Sequence, residues 1–168
     1  GDPLTFSASI DPNINNGEDQ LFVSKAFCYS KSFIFYEKSF YCKRLGIEGV
    51  VFGVLNKDYS INEASTKRLV KASLPLKVTF HKAIDISNDS LAAVKKLSQI
   101  TGITSILTSG RKKTAIEGAQ VIKKMIAIAK NDLSIIPAGK ITFKNIIDVH
   151  RLINAHEYHG RNIVSKFN

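Results

Sequence analysis

Three features of the 168-residue chain predict an α/β domain built on a parallel sheet. Short apolar runs begin at Ile47, Leu76, Ile103 and Leu133, each followed by a stretch of helical periodicity. The runs recur about every 23 to 30 residues, the rhythm of βαβ units. Helix-start residues stand where most of the helical stretches open. With 44% hydrophobic and 23% charged residues, the composition suits an ordinary globular core.

The elements follow in order. Residues 1–19, rich in Asp, Asn, Pro and Gly, read as a loop or disordered N-terminal segment, and residues 20–168 as one partial α/β domain. Gln20 to Phe27 is a plausible strand and Phe33 to Leu45 a helix. Ile47 to Leu55 reads as a strand buried on both faces, with Gly49 and Gly53 inside it. Ser60-Ile61-Asn62-Glu63 has the spacing of a capping box and opens a helix to about Ala72. Leu76 to Phe80 is the next strand. Asn88 or a neighbour caps a helix carrying Leu91, Val94, Leu97 and Ile100, which Gly102 stops. Ile103 to Leu107 is a further strand, and Thr114-Ala115-Ile116-Glu117 is a second capping box. Its helix puts Ala115, Ala119, Ile122, Ile126 and Ala129 on one face. Leu133 to Pro137 is a strand, Thr142 caps a helix with Ile146, Val149 and Ile153 on one side, and His156 to Tyr158 would be a last short strand.

Such a sheet closes either as an open doubly wound fold or as a TIM-type (β/α)8 barrel. No Gly-x-Gly-x-x-Gly follows a strand, so the barrel leads. A full barrel takes ~250 residues, and only 46 residues precede Ile47. The expectation is therefore an incomplete barrel of about six βα units, its first two missing. An open strand edge would favour a homo-oligomer.

The net charge is +10 and the isoelectric point about 9.6. Most cations are Lys, scattered singly or in pairs, and the longest run is Arg111-Lys112-Lys113. This pattern fits a solvated surface or an anion site, and predicts no specific nucleic-acid partner and no membrane partner. The apolar runs are too short and interrupted for a membrane span. No charged-then-apolar leader is seen, although the chain opens Gly1-Asp2-Pro3 without an initiator Met. Cys28 and Cys42 have neither zinc nor redox spacing.

Sites in parallel α/β folds form at the carboxyl ends of strands. Alternation from Leu76 puts Lys77, Thr79 and His81 on one face, which aims His81 at the barrel mouth and Lys82 toward the helices. Asp85 would orient His81 or cap the next segment. Thr108-Ser109-Gly110-Arg111 is either an anion cradle, with Ser109 and Gly110 supplying donors, or a plain turn. Gly139 and Lys140 stand where barrels often hold phosphate. Glu157 and His159 share a face at period two, so with His81 they are candidates for a metal or acid–base cluster.

Several segments together match one family. Gly46-Ile47-Glu48-Gly49-Val50-Val51-Phe52-Gly53-Val54-Leu55, Leu74 to Asp85 around Phe80-His81-Lys82-Ala83, Ile106-Leu107-Thr108-Ser109-Gly110, Ala115-Ile116-Glu117-Gly118, Pro137-Ala138-Gly139-Lys140-Ile141-Thr142 and Glu157-Tyr158-His159 stand in this order. In that order and spacing the chain resembles the CutC family of copper homeostasis proteins across residues 33–168. The resemblance implies a TIM-type barrel, a cytoplasmic setting and a role in copper homeostasis with copper(I) as the bound ion. The family's first two strands, with the cysteines associated with copper, have no counterpart. Cys28 and Cys42 stand elsewhere and are the thiolate candidates that remain. The family's paired arginines and glycines are also missing around Ala26 to Phe33, and its "PGGG" is Pro137-Ala138-Gly139-Lys140 here. Two further readings stand beside copper handling: a barrel enzyme acting on a small anionic or phosphorylated substrate, and a degenerate copy without activity.

Overall fold

The computed structural model describes residues 20–23, 26–29, 49–160 and 163. The expected loop over 1–19, the expected helix over 33–45 and Cys42 lie outside the described residues. Among the described residues, six strands form one sheet in the order β2-β1-β3-β4-β5-β6. They are β1 (Gln20–Val23), β2 (Ala26–Tyr29), β3 (Gly49–Gly53), β4 (Lys77–Phe80), β5 (Ile103–Thr108) and β6 (Ser134–Pro137). β3 to β6 run parallel. The α-helices among the described residues are α1 (Glu63–Ser73), α2 (Ser90–Ser98), α3 (Ala119–Ala129) and α4 (Ile146–Ile153), one after each parallel strand. The α/β class and its parallel, barrel-type sheet are as the sequence predicts.

Two expectations are corrected. Gln20 to Phe27 is not one strand, because the chain reverses between Val23 and Ala26. β1 and β2 pair antiparallel, and β1 also lies antiparallel to β3. Nor do His156 to Tyr158 form a strand; the backbone there is irregular, with a ladder-like bond from His159 N–H to the Pro137 carbonyl (2.9 Å).

Register separates the two faces of the sheet. Phe52, Phe80, Ile106 and Ile135 align across β3 to β6 and are all buried. They share one core with Leu69 and Val70 of α1, Val94 and Leu97 of α2, Ile122 and Met125 of α3, and Val149 and Ile153 of α4. The adjacent row, Val51, Thr79, Ser105 and Ser134, is shorter and more polar, and all but Ser105 are half-buried. Thr79 and Ser105 bridge β4 and β5 on that row, hydroxyl to hydroxyl at 2.7 Å. One face is thus an apolar wall under helices, and the other, facing the inside of the barrel-type sheet, mixes these hydroxyls with the half-buried Val51, Leu107 and Ile136.

Helix starts follow the sequence with small shifts. α1 is capped by Asn62, whose Oδ1 accepts the Ser65 N–H (2.9 Å), and not by Ser60. The Ser60 hydroxyl and N–H are already committed to Asp58 Oδ1. Asp89 caps α2, accepting from the Leu91 and Ala92 N–H groups. The Thr114–Glu117 box forms reciprocally, both contacts at 3.2 Å, and its turn leads into α3. Asn145 stands at the start of α4, and its Oδ1 accepts the Thr142 N–H (2.8 Å) rather than a helix N–H.

Candidate functional site

The carboxyl ends of β4, β5 and β6 bring the polar loops together. After Phe80 the chain stays extended for one residue, then bends into a 3-10 turn over Lys82–Ile86. His81 is the cap of that turn, its Nδ1 accepting the Ala83 N–H (3.0 Å). This bond places the ring proton on Nε2. His81 is only 4% exposed, and burial pushes its pKa down to about 4. It is a neutral, buried imidazole whose room is left by Gly53 on β3. A Cβ at Gly53 would come within 2.7 Å of Nδ1. The expected mouth histidine is thus a buried ring whose Nδ1 serves the backbone.

Lys82 corrects the parity expectation. Strand alternation ends with the bend, so Lys82 does not go to the helix side. Its Nζ lies 3.9 Å from Asp85 Oδ2, and its charge reaches His159. His159 has its pKa lowered by burial first and by Lys82 second. Glu157 is exposed. Among the described residues no three His, Cys, Asp or Glu side chains converge as a metal set, so His81, Glu157 and His159 do not make the metal cluster that was one of the two expectations for them. Without a strand over 156–158, period-two alternation has no regular backbone to act on at Glu157 and His159.

The donors of the loop after β5 point at the chain's own Asp85. Asp85 Oδ1 accepts from the Thr108 hydroxyl (2.5 Å) and the Arg111 N–H (3.1 Å). Oδ2 accepts the Ser109 N–H at 2.9 Å. Gly110, at φ +65, packs its α-carbon against Gly118, which lets the loop fold back on itself. The β6 loop is laced to it. Ala138 N–H reaches the Thr108 carbonyl (2.8 Å), and the Gly139 carbonyl takes the Ala115 N–H (3.0 Å). Lys140 is exposed, its carbonyl held by Asn145 Nδ2. Cys28 sits on β2, opposite Leu21 in register.

Sequence reasoning missed Gly53 and set Lys82 aside. A signal for Gly53 existed, since it ends a strand one residue past Phe52, as His81 stands one past Phe80. For Lys82 the signal was weaker, because a histidine cap is an uncommon place to end a strand.

These features define a parallel α/β protein of the barrel class whose polar groups gather at the strand ends. The chain belongs to the CutC family, whose profile matches residues 25–164. A CutC family protein from Treponema denticola is 40% identical over 114 residues, which is 68% of this chain and 46% of that protein. The copper homeostasis protein cutC homolog of Dictyostelium discoideum is 35% identical over 129 residues, 66% of this chain and 46% of the relative. The human homolog of the same name is 37% identical over 117 residues, 70% of this chain and 42% of its own length. The chain spans about half the length of these relatives. The crystal structure of CutC from Streptococcus agalactiae matches with a TM-score of 0.74 at 24% identity, over 84% of this chain and 70% of that one. At that identity the likeness is one of fold. Among the described residues, no helix is long and apolar enough to cross a membrane.

Proposed function

We propose that this chain serves copper homeostasis in the cytoplasm, binding or passing copper(I) as cargo. The observation that supports this reading is family membership over residues 25–164, with relatives named copper homeostasis proteins. Copper(I) favours soft thiolates, and Cys28 and Cys42 are the two thiols of the sequence. The test is anaerobic copper(I) titration under reducing conditions of this chain and of a Cys28→Ser/Cys42→Ser double variant. A tight site lost in the double variant is the expected result. No tight site overturns it, and a tight site that survives both substitutions removes Cys28 and Cys42 as its ligands.

The grouping of Lys82, Asp85 and His159 supports a second reading, an enzyme acting on a small anionic or phosphorylated substrate. Lys82, Gly139 and Lys140 would then surround the anion, and His159 would move the proton. Ser109 and Gly110 are less available for this, since the loop's donors face Asp85. Inorganic phosphate titrated against the His159 ring resonances tests it. Saturable shifts lost in Lys82→Gln are expected, and an unresponsive ring excludes this reading.

A homo-oligomer is also proposed, with no specific nucleic acid and no membrane as partner. The half-buried row Val51, Thr79 and Ser134 and the exposed Ile147 and Leu152 of α4 support it. Light scattering across a concentration series checks it, and a monomer throughout counts against it.

A further inference from the structure

The loop after β5 holds a carboxylate in the manner of a binding site. The Asp85 side chain is 9% exposed, and three donors converge on it: the Thr108 hydroxyl, the Ser109 N–H and the Arg111 N–H. Thr108 Oγ1 in turn accepts the Gly110 N–H (2.9 Å), which leaves its single proton to Asp85. The Ser109 hydroxyl stands 2.9 Å from Asp85 Oδ2 and 2.7 Å from the Lys112 carbonyl, so its one proton serves one or the other. Gly110 and Arg111, both at φ +65, curl the backbone so that the N–H groups on either side of Gly110 point inward. Lys82 Nζ adds positive charge at 3.9 Å. The Arg111 guanidinium does not join in. It donates to the Ser87 carbonyl at 2.5 Å, clamping the loop to the end of the 3-10 turn.

We infer that Thr108–Arg111 is a carboxylate-binding nest whose resident ligand is the chain's own Asp85. Hydrogen bonds to an ionised acceptor are the strong ones, and three of them at a largely buried site select a carboxylate over a neutral group of the same shape. The nest joins the 3-10 turn, and with it His81 and Lys82, to the end of β5. Emptied of Asp85, it keeps inward donors and a nearby ammonium, and takes a small external carboxylate. This inference stands on the loop contacts alone and does not depend on copper binding.

Thermal unfolding of Asp85→Ala with formate, against chloride at matched ionic strength, tests it. The variant is expected to melt lower than the original chain by on the order of 5 °C. Formate should then recover part of that loss, saturably, while leaving the original chain unmoved. A melting point for Asp85→Ala equal to that of the original chain overturns the inference, and so does an equal formate effect on both. Where Asp85→Ala does not fold, NMR on the unsubstituted chain decides. The Ser109 and Arg111 amide protons should both exchange slowly with solvent, as donors held by a carboxylate do, and free exchange at either overturns the inference.

Discussion

Gly53 and His81 are neighbours across the β3–β4 pair, each one residue past the aligned Phe52 and Phe80, and the imidazole fills the space a side chain at Gly53 would need. The Ala83 N–H, donating to Nδ1, favours the ring in this position. Gly53→Ala would put its methyl 2.7 Å from Nδ1 and 2.9 Å from Cε1. Overpacking of this kind costs about 1–3 kcal/mol. Urea unfolding should show the loss, and adding His81→Ala to Gly53→Ala should cost less than it does alone. A Gly53→Ala chain as stable as the original would show that the contact is not tight.

His81 also makes stability depend on pH. Its folded-state pKa of about 4 lies below the ordinary 6.5, so between those values the unfolded chain binds the extra proton. Stability is then full above pH 6.5 and falls as the pH drops toward 4. At 1.36 kcal/mol per unit the whole effect is about 3 kcal/mol. His159, also held below its ordinary value, acts in the same direction. Denaturant midpoints measured across this window should lose most of their slope in His81→Gln. An unchanged slope would remove His81 as its source.

His159 reports on the mouth directly. Burial and then the Lys82 charge hold its pKa down, so Lys82→Gln should raise its NMR titration midpoint while burial keeps it below the ordinary histidine value. A midpoint indifferent to Lys82 would separate the two side chains.

The cap of α1 gives a fourth check. Asn62→Ala removes the acceptor for the Ser65 N–H and should cost about 1 kcal/mol. Ser60→Ala, outside the helix start, should cost clearly less. The reverse order would restore the Ser60 box.

Much of this was legible in the chain. The repeat of apolar runs and helical stretches specified four parallel βα units, because burial on both faces leaves the same mark on each strand. The Thr114–Glu117 box and the position of His81 at a strand end were readable too, since capping and alternation are local rules. Local rules also produced the misses. Alternation was carried past Phe80 to Lys82 and assumed over Glu157 to His159, and it fails wherever a strand stops. Likewise Ser60 and Asn62 both suit a helix cap, and the choice fell to Asn62 because Asp58 engages Ser60.

By itself the sequence determined the α/β class, the parallel order of units and the family, all of which rest on residues close together in the chain or on their spacing. Tertiary structure alone decided what the polar residues do. Asp85 meets Ser109 across 24 positions, and Gly53 meets His81 across the sheet. Contacts of that range depend on how strands stack side by side. A loop that looks like an anion cradle on paper can therefore be the seat of the chain's own carboxylate.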